Sequence, residues 1–221
     1  MKPEDRQLLL QGASECGVVL SQKQVFLFDV FLKGLRTWNK RLNLTGILEK
    51  RQIIIKLFID SLAALPHLSP RGTLLDIGSG AGIPGLPLKI GQPDFEVHLL
   101  ESKAKKISFL KDMIRKLGLK GIEACQGRAE QKHDVPPLFH HYDIVTVRAL
   151  TSLKKTITLC SSYLEPGGLL VAFKGLHVDQ EIEESRQTME ELKFTISNKV
   201  LYRLPETQLR RCLLILEKGG I

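Results

Sequence analysis

The chain has 221 residues, 43% of them hydrophobic and 25% charged, a balance that suits a globular protein with one sizeable α/β core and a small addition. No run approaches the roughly 18 uncharged apolar residues that a membrane span needs, and Met1-Lys2-Pro3-Glu4-Asp5-Arg6 meets acidic residues where a secretory signal would be apolar, so a cytoplasmic location is expected. The formal net charge is +8, which fits a polyanionic partner.

That charge is one-sided. Residues 1–70 hold ten Lys/Arg against six Asp/Glu, residues 71–120 hold nine against five, and the rest of the chain is close to balanced. The excess lies in Arg36, Lys40, Arg41, Lys50, Arg51, Lys103, Lys105, Lys106, Lys111, Arg115, Lys116 and Lys120. Cys16, Cys125, Cys160 and Cys212 are far apart with no CxxC pair, and the six histidines lack a ligand-spaced set. Free thiols in a reducing compartment and no metal site are expected. Nothing in the sequence demands more than a monomer.

In chain order, residues 1–70 are predicted to form an N-terminal helical cap. Ser21-Gln22-Lys23-Gln24 has the form of a capping box, after which Val25, Phe28, Phe31, Leu32, Leu35 and Trp38 recur at helical spacing. A second, amphipathic helix is predicted from Leu48 to Leu65, and the segment Pro66 to Gly72 is the linker candidate. From residue 71 to 221 short apolar runs alternate with helical segments. The runs are Thr73–Ile77, Phe95–Leu100, Ile122–Gln126, Asp143–Val147, Leu169–Phe173, Phe194–Leu201 and Cys212–Leu216. The helices are Lys103–Leu117, Leu153–Leu164 and Asp179–Leu192. This grammar predicts a doubly wound, mostly parallel seven-stranded sheet of Rossmann-like type, with an antiparallel ending around Pro205-Glu206-Thr207.

In such a sheet, ligands bind at the carboxyl ends of the strands. The first strand ends in Asp76-Ile77-Gly78-Ser79-Gly80-Ala81-Gly82-Ile83-Pro84-Gly85, whose glycines let backbone approach a ligand. Gly80 to Gly85 also matches GxGxxG, which leaves a dinucleotide open and with it an NAD(P)-dependent oxidoreductase. Asp76 favours S-adenosyl-L-methionine, because a carboxylate there orders the loop, faces a cationic group and repels a pyrophosphate. Glu101 closes the second strand, where it suits the ribose hydroxyls of either cofactor. Arg128 and Glu130 follow the third strand, Arg148 ends the fourth and Lys174 ends the fifth. A guanidinium leaving an apolar strand at the ligand edge calls for a partner, so Arg148 is a binding and orienting candidate. No cysteine follows a proline, as a cytosine C5 nucleophile usually does. The only Pro-Pro, Pro136-Pro137, precedes the fourth strand and is expected to be loop.

These residues resemble one family, the bacterial 16S ribosomal RNA N7-guanine methyltransferases, also called the glucose-inhibited division protein B family. The resemblance begins at Trp38-Asn39-Lys40-Arg41-Leu42-Asn43-Leu44-Thr45 and Asp60-Ser61-Leu62, and is most specific from Asp76 through Gly85-Leu86-Pro87-Leu88. It continues through Leu99-Leu100-Glu101-Ser102-Lys103-Ala104-Lys105-Lys106, Gly127-Arg128-Ala129-Glu130, Val147-Arg148-Ala149 and Phe173-Lys174-Gly175. It implies a methyl donor, S-adenosyl-L-methionine, held by Gly78, Ile83, Ala129, Glu130 and Arg148, with Glu101 at the ribose and Asp76, Gly80 and Gly82 shaping the loop. The implied partner is 16S ribosomal RNA or the small subunit, at a guanine in the decoding-region loop. Lys40, Arg41, Lys105, Lys106, Arg128, Lys174 and Arg211 are the RNA-contact candidates. The chain departs from the family's usual Arg-His at Lys56-Leu57 and at Arg211-Cys212. A small-molecule methyltransferase shares these cofactor features and remains an alternative.

Overall fold

A computed structural model of the chain describes residues 1–131, 141–148, 151–176 and 178–220; Pro136-Pro137 and Ala149 lie outside them. The sheet has seven strands: β1 Gly72–Ile77, β2 Phe95–Glu101, β3 Ile122–Gln126, β4 Tyr142–Arg148, β5 Leu164–Lys174, β6 Phe194–Arg203 and β7 Arg210–Lys218. Their order is β3-β2-β1-β4-β5-β7-β6. The first five are parallel, and β7 runs antiparallel to both β5 and β6. The order reverses between β1 and β4, where an α/β sheet opens its binding crevice.

The helices are α1 Pro3–Glu15, α2 Gln22–Leu42, α3 Lys50–Ile53, α4 Asp60–Leu62, α5 Gly85–Gly91, α6 Ala104–Leu117, α7 Leu153–Ser161 and α8 Val178–Glu191. Alternation along each strand divides the core into two clusters. Leu74, Val97, Leu99 and Ile144 join α1, α2, α5 and α6 on one face. Leu75, Ile77, Val145 and Val147 join α7 and α8 on the other. Segment 1–70 shares the first cluster with the sheet, so its helices are a layer of the same core.

The predicted capping box is present. Ser21 N–H donates to Gln24 Oε1 at 2.8 Å, and Gln24 N–H donates to Ser21 Oγ at 3.3 Å. Gln24 Nε2 also donates to the carbonyls of Ile90 and Gly91, both at 2.9 Å, so one side chain starts α2 and satisfies the end of α5. Gln24→Ala is expected to cost about 2 kcal/mol, as capping and carbonyl-directed hydrogen bonds contribute about 1 kcal/mol each. The check is a lower urea midpoint with an unchanged slope.

Two expectations need correction. The predicted amphipathic helix over residues 48–65 is instead buried nearly all round. From Ile53 to Ala64 only Lys56 is half-exposed, because the segment is packed between α1 and the sheet cluster. Between α3 and α4 it widens into a π-turn, Ile54–Ile59, an irregularity frequent at functional sites. Leu164 does not end α7 but begins β5, where it pairs with Tyr142 before a register break.

Candidate active site

Beyond β1 the chain turns through Gly78, Gly80 and Gly82 at φ of 73°, 53° and 76°, values that L side chains adopt rarely. Gly78 N–H and Ser79 N–H both donate to the Leu100 carbonyl, at 2.9 and 3.1 Å, and so tie the loop to β2. Asp76 lies fully buried beneath it. Its Oδ1 accepts from Thr146 Oγ1 at 2.9 Å and its Oδ2 from Gly85 N–H at 3.1 Å. Burial pushes its carboxyl up to about 6, against the pull of the Thr146, Ser79 and Gly85 hydrogen bonds. Asp76 therefore orders the loop from within the core, as expected. It has no open path to a cationic ligand group, which removes the physical argument that it selects a methyl donor. Ile83 is buried beside the loop and is not among the residues that line the neighbouring cleft.

A cleft of about 340 Å³ opens over the ends of β1, β2 and β3, lined by Gly78, Glu101, Gly127, Arg128, Ala129 and Glu130. Ile77, Leu100 and Leu159 supply apolar walls, and Ser102, Thr151 and Lys155 complete the lining. Glu101 is held rigidly: Oε2 accepts from Gly80 N–H at 3.1 Å and Oε1 from Lys103 N–H at 2.9 Å. Lys106 Nζ lies 3.6 Å from Oε2. Oε1 also accepts from the exposed Ser102 hydroxyl at 3.4 Å, a long contact that a ligand hydroxyl can displace, and Oε2 keeps a further lone pair. The Ala129 carbonyl accepts from the Tyr163 hydroxyl at 2.8 Å, which fixes the cleft wall. An apolar slot with one rigid carboxylate fits a nucleoside: the slot takes a flat base and Glu101 takes vicinal hydroxyls.

Arg148 is not among the lining residues of this cleft. It belongs to a second cluster, at the carboxyl ends of β4 and β5. Its Nη2 donates to the Lys56 carbonyl in the π-turn at 2.6 Å, and its guanidinium lies 6.0 Å over the Phe173 ring. Its Nη1 is 2.8 Å from Asp60 Oδ2, but off the hydrogen-bonding direction, so both buried atoms lack a hydrogen-bond partner. Asp60 Oδ1 accepts from the Tyr202 hydroxyl at 2.5 Å and from Arg211 Nε at 3.4 Å. Burial lowers the Arg148 pKa, and Asp60 opposes that.

The RNA-contact candidates divide in the same way. Lys40, Arg41, Lys105 and Arg128 are exposed. Lys40 and Arg41 lie on α2, which packs against α6 through a Trp38 Nε1 bond to Asp112 at 2.8 Å. Lys106 is drawn to Glu101, Lys174 to Glu181 at 2.6 Å, and Arg211 to Asp60. Sequence reasoning missed Thr146, Tyr163, Lys155, Glu181 and Tyr202, whose roles arise from contacts between distant segments. Asp60 carried a signal, a lone acid within an apolar run. Among the described residues no three His, Cys, Asp or Glu gather as a metal site, and no helix is long and apolar enough to cross a membrane.

Comparisons with known proteins agree with this fold. The chain is 13% identical to a methyltransferase of known structure from Pyrococcus furiosus, covering 71% of this chain and 80% of that one with a TM-score of 0.57; this likeness concerns the fold. It is 37% identical to ribosomal RNA small subunit methyltransferase G of Lachnoclostridium phytofermentans, over 97% of this chain and 89% of the relative. It is 36% identical to the protein of the same name from Acetivibrio thermocellus, over 96% and 88%. Residues 24–209 match the family model described as rRNA small subunit methyltransferase G, and with full-length relatives above 30% identity the chain belongs to that family of methyltransferases.

Proposed function

We propose that this chain transfers a methyl group from S-adenosyl-L-methionine to N7 of a guanine in the decoding-region loop of 16S ribosomal RNA, and does so in the cytoplasm. The observation that supports it most is the nucleoside-sized cleft beside the glycine loop, with Glu101 fixed at its wall, in a chain of this family. Glu101 would hold the ribose, Gly78 and the Ala129–Glu130 backbone would flank the adenosine, and Ile77, Leu100 and Leu159 would enclose the base. When bound, S-adenosyl-L-methionine supplies an electrophilic methyl group on a sulfonium.

Guanine N7 carries an in-plane lone pair and no proton at neutral pH, so the protein need not supply a general base. Its residues have to bind, orient and exclude water, and orientation alone can contribute about 7–11 kcal/mol. Arg148 is assigned to orienting the cofactor or the guanine O6, since its guanidinium stays charged and cannot move a proton at working pH.

The reading is tested by incubating the protein and labelled methyl donor with small subunits and with deproteinised 16S RNA, both from a strain lacking this modification. Label recovered as N7-methylguanine is the expected result. Transfer to no RNA form would defeat the reading, and binding of a nicotinamide cofactor in place of S-adenosylhomocysteine would favour an oxidoreductase. RNA docking should also depend on salt. Lys40→Ala, Arg41→Ala and Lys105→Ala are each expected to lower the slope of log affinity against log salt by about 1. The measurement is an equilibrium titration of an RNA fragment across salt concentrations; unchanged slopes would move the docking surface away from α2 and α6.

A further inference from the structure

The cluster around Asp60 joins parts of the chain that are far apart in sequence. Asp60 comes from the N-terminal helical layer, Arg148 from the end of β4, and Tyr202 and Arg211 from the paired strands β6 and β7. The Asp60 side chain is fully buried, while the Arg148 and Arg211 side chains are 17% and 23% exposed. Two guanidiniums this close repel each other, and each raises the cost of the other's burial. Among the described residues Asp60 is the one carboxylate paired with both, so it is what allows the two cations to share the pocket. The arrangement keeps one excess positive charge. Burial and Asp60 raise the Tyr202 phenol, so its hydroxyl stays protonated and donates.

Position gives this cluster its meaning. The cleft that suits the adenosine covers the ends of β1, β2 and β3. The cluster lies along the same edge of the sheet, at the ends of β4 and β5 and the start of β7, where Arg148 pairs with Phe173 and Lys174 with Cys212. A methyl acceptor must sit beside the donor, and this is the neighbouring stretch of the edge. We propose that Asp60 is a positioning residue of the methyl-transfer site, gathering Arg148 and Arg211 into a fixed cationic pair that receives the electronegative oxygens of the acceptor nucleotide. The N-terminal layer is then part of the site, because Asp60 and the Lys56 carbonyl hold Arg148 from that side. This inference rests on the reading that the chain methylates RNA.

The test is a double-mutant cycle of Asp60→Asn and Arg148→Gln, read with RNA as the varied substrate at saturating methyl donor. Asp60→Asn is expected to lower kcat/KM for RNA by at least about tenfold, while S-adenosylhomocysteine affinity by calorimetry stays within about threefold of wild type. In the Arg148→Gln background the same change should add far less than tenfold, because its principal target is gone. A merely structural role predicts independent, multiplicative losses that follow the folded fraction, and that result would overturn the proposal. So would Asp60→Asn turning over RNA within about twofold of wild type. Tyr202→Phe keeps every charge and loses one hydrogen bond to Asp60, so it carries the test if Asp60→Asn fails to fold. Its expected loss is about threefold in the same parameter, and no loss would count against the proposal. RNA affinity without methyl donor, measured through the same cycle, decides the role of Asp60 even if wild-type protein transfers no methyl group, an outcome that would defeat the proposed function separately.

Discussion

Replacing Glu101 with glutamine is expected to weaken S-adenosylhomocysteine binding by about 100-fold or more. The carboxylate is held by Gly80 N–H and Lys103 N–H and presents its remaining lone pairs to the cleft. Two hydroxyls donating to a carboxylate form charge-assisted hydrogen bonds, each contributing about 1.5–3 kcal/mol. Glutamine keeps one acceptor oxygen, so the change removes one of these bonds and the charge assistance of the other, about 3 kcal/mol together, and each 1.4 kcal/mol is tenfold in affinity. The glutamine amide adds a second penalty: its NH2 must face one of the two backbone N–H donors that now converge on carboxylate oxygens. The Lys106 contact at 3.6 Å contributes little, because its ammonium reaches solvent. Calorimetric titration checks the prediction, with thermal unfolding as a control for loop damage. Affinity within about threefold of wild type in a folded variant would remove Glu101 from the ribose role.

The parts of this site that were legible in the sequence are those set by local rules. Short apolar runs and glycine placement locate the strands and the loop, which is why β1, β2 and β3 and their terminal residues fall where the pattern puts them. Glu101 is legible because a strand's last residue must face the crevice. Asp76 was half legible: its place at the strand end follows from sequence, but its direction depends on Thr146, seventy residues away. Lys106, Lys174 and Arg211 read as free cations because their carboxylate partners lie on other elements or at a neighbouring strand end. The run Ile53-Ile54-Ile55 and Leu57-Phe58-Ile59 did carry a warning. Apolar residues that continuous leave no polar stripe, so the segment had to be buried on every side. Its π-turn, which brings the Lys56 carbonyl to Arg148, has no comparable mark in the residue types.

Asp76→Ala is expected to destabilise the fold by about 2–6 kcal/mol and to loosen the glycine loop. The change leaves Gly85 N–H and the Thr146 hydroxyl buried without their acceptor, at about 1–3 kcal/mol each. Gly85 cannot adapt by taking a side chain, since a Cβ there would lie 2.3 Å from Leu99 Cδ2. Asp76→Asn separates hydrogen bonding from charge. The wild-type carboxyl is pushed up to about 6, chiefly by burial, so between about pH 4 and 6 the folded chain binds a proton that the unfolded chain has released. Stability from this group is therefore full below that window, falls as pH rises through it and levels off above about 6. The loss is on the order of 3 kcal/mol for a fully buried group. Asparagine has no such proton, so Asp76→Asn should gain on wild type as pH rises from 4 to 7, while Asp76→Ala remains the less stable variant throughout. Urea unfolding of the three proteins across that range measures the effect. Parallel pH–stability curves for wild type and Asp76→Asn would show that the buried carboxyl keeps its ordinary pKa, and that the loop is ordered by an ionised acid at every pH above 4.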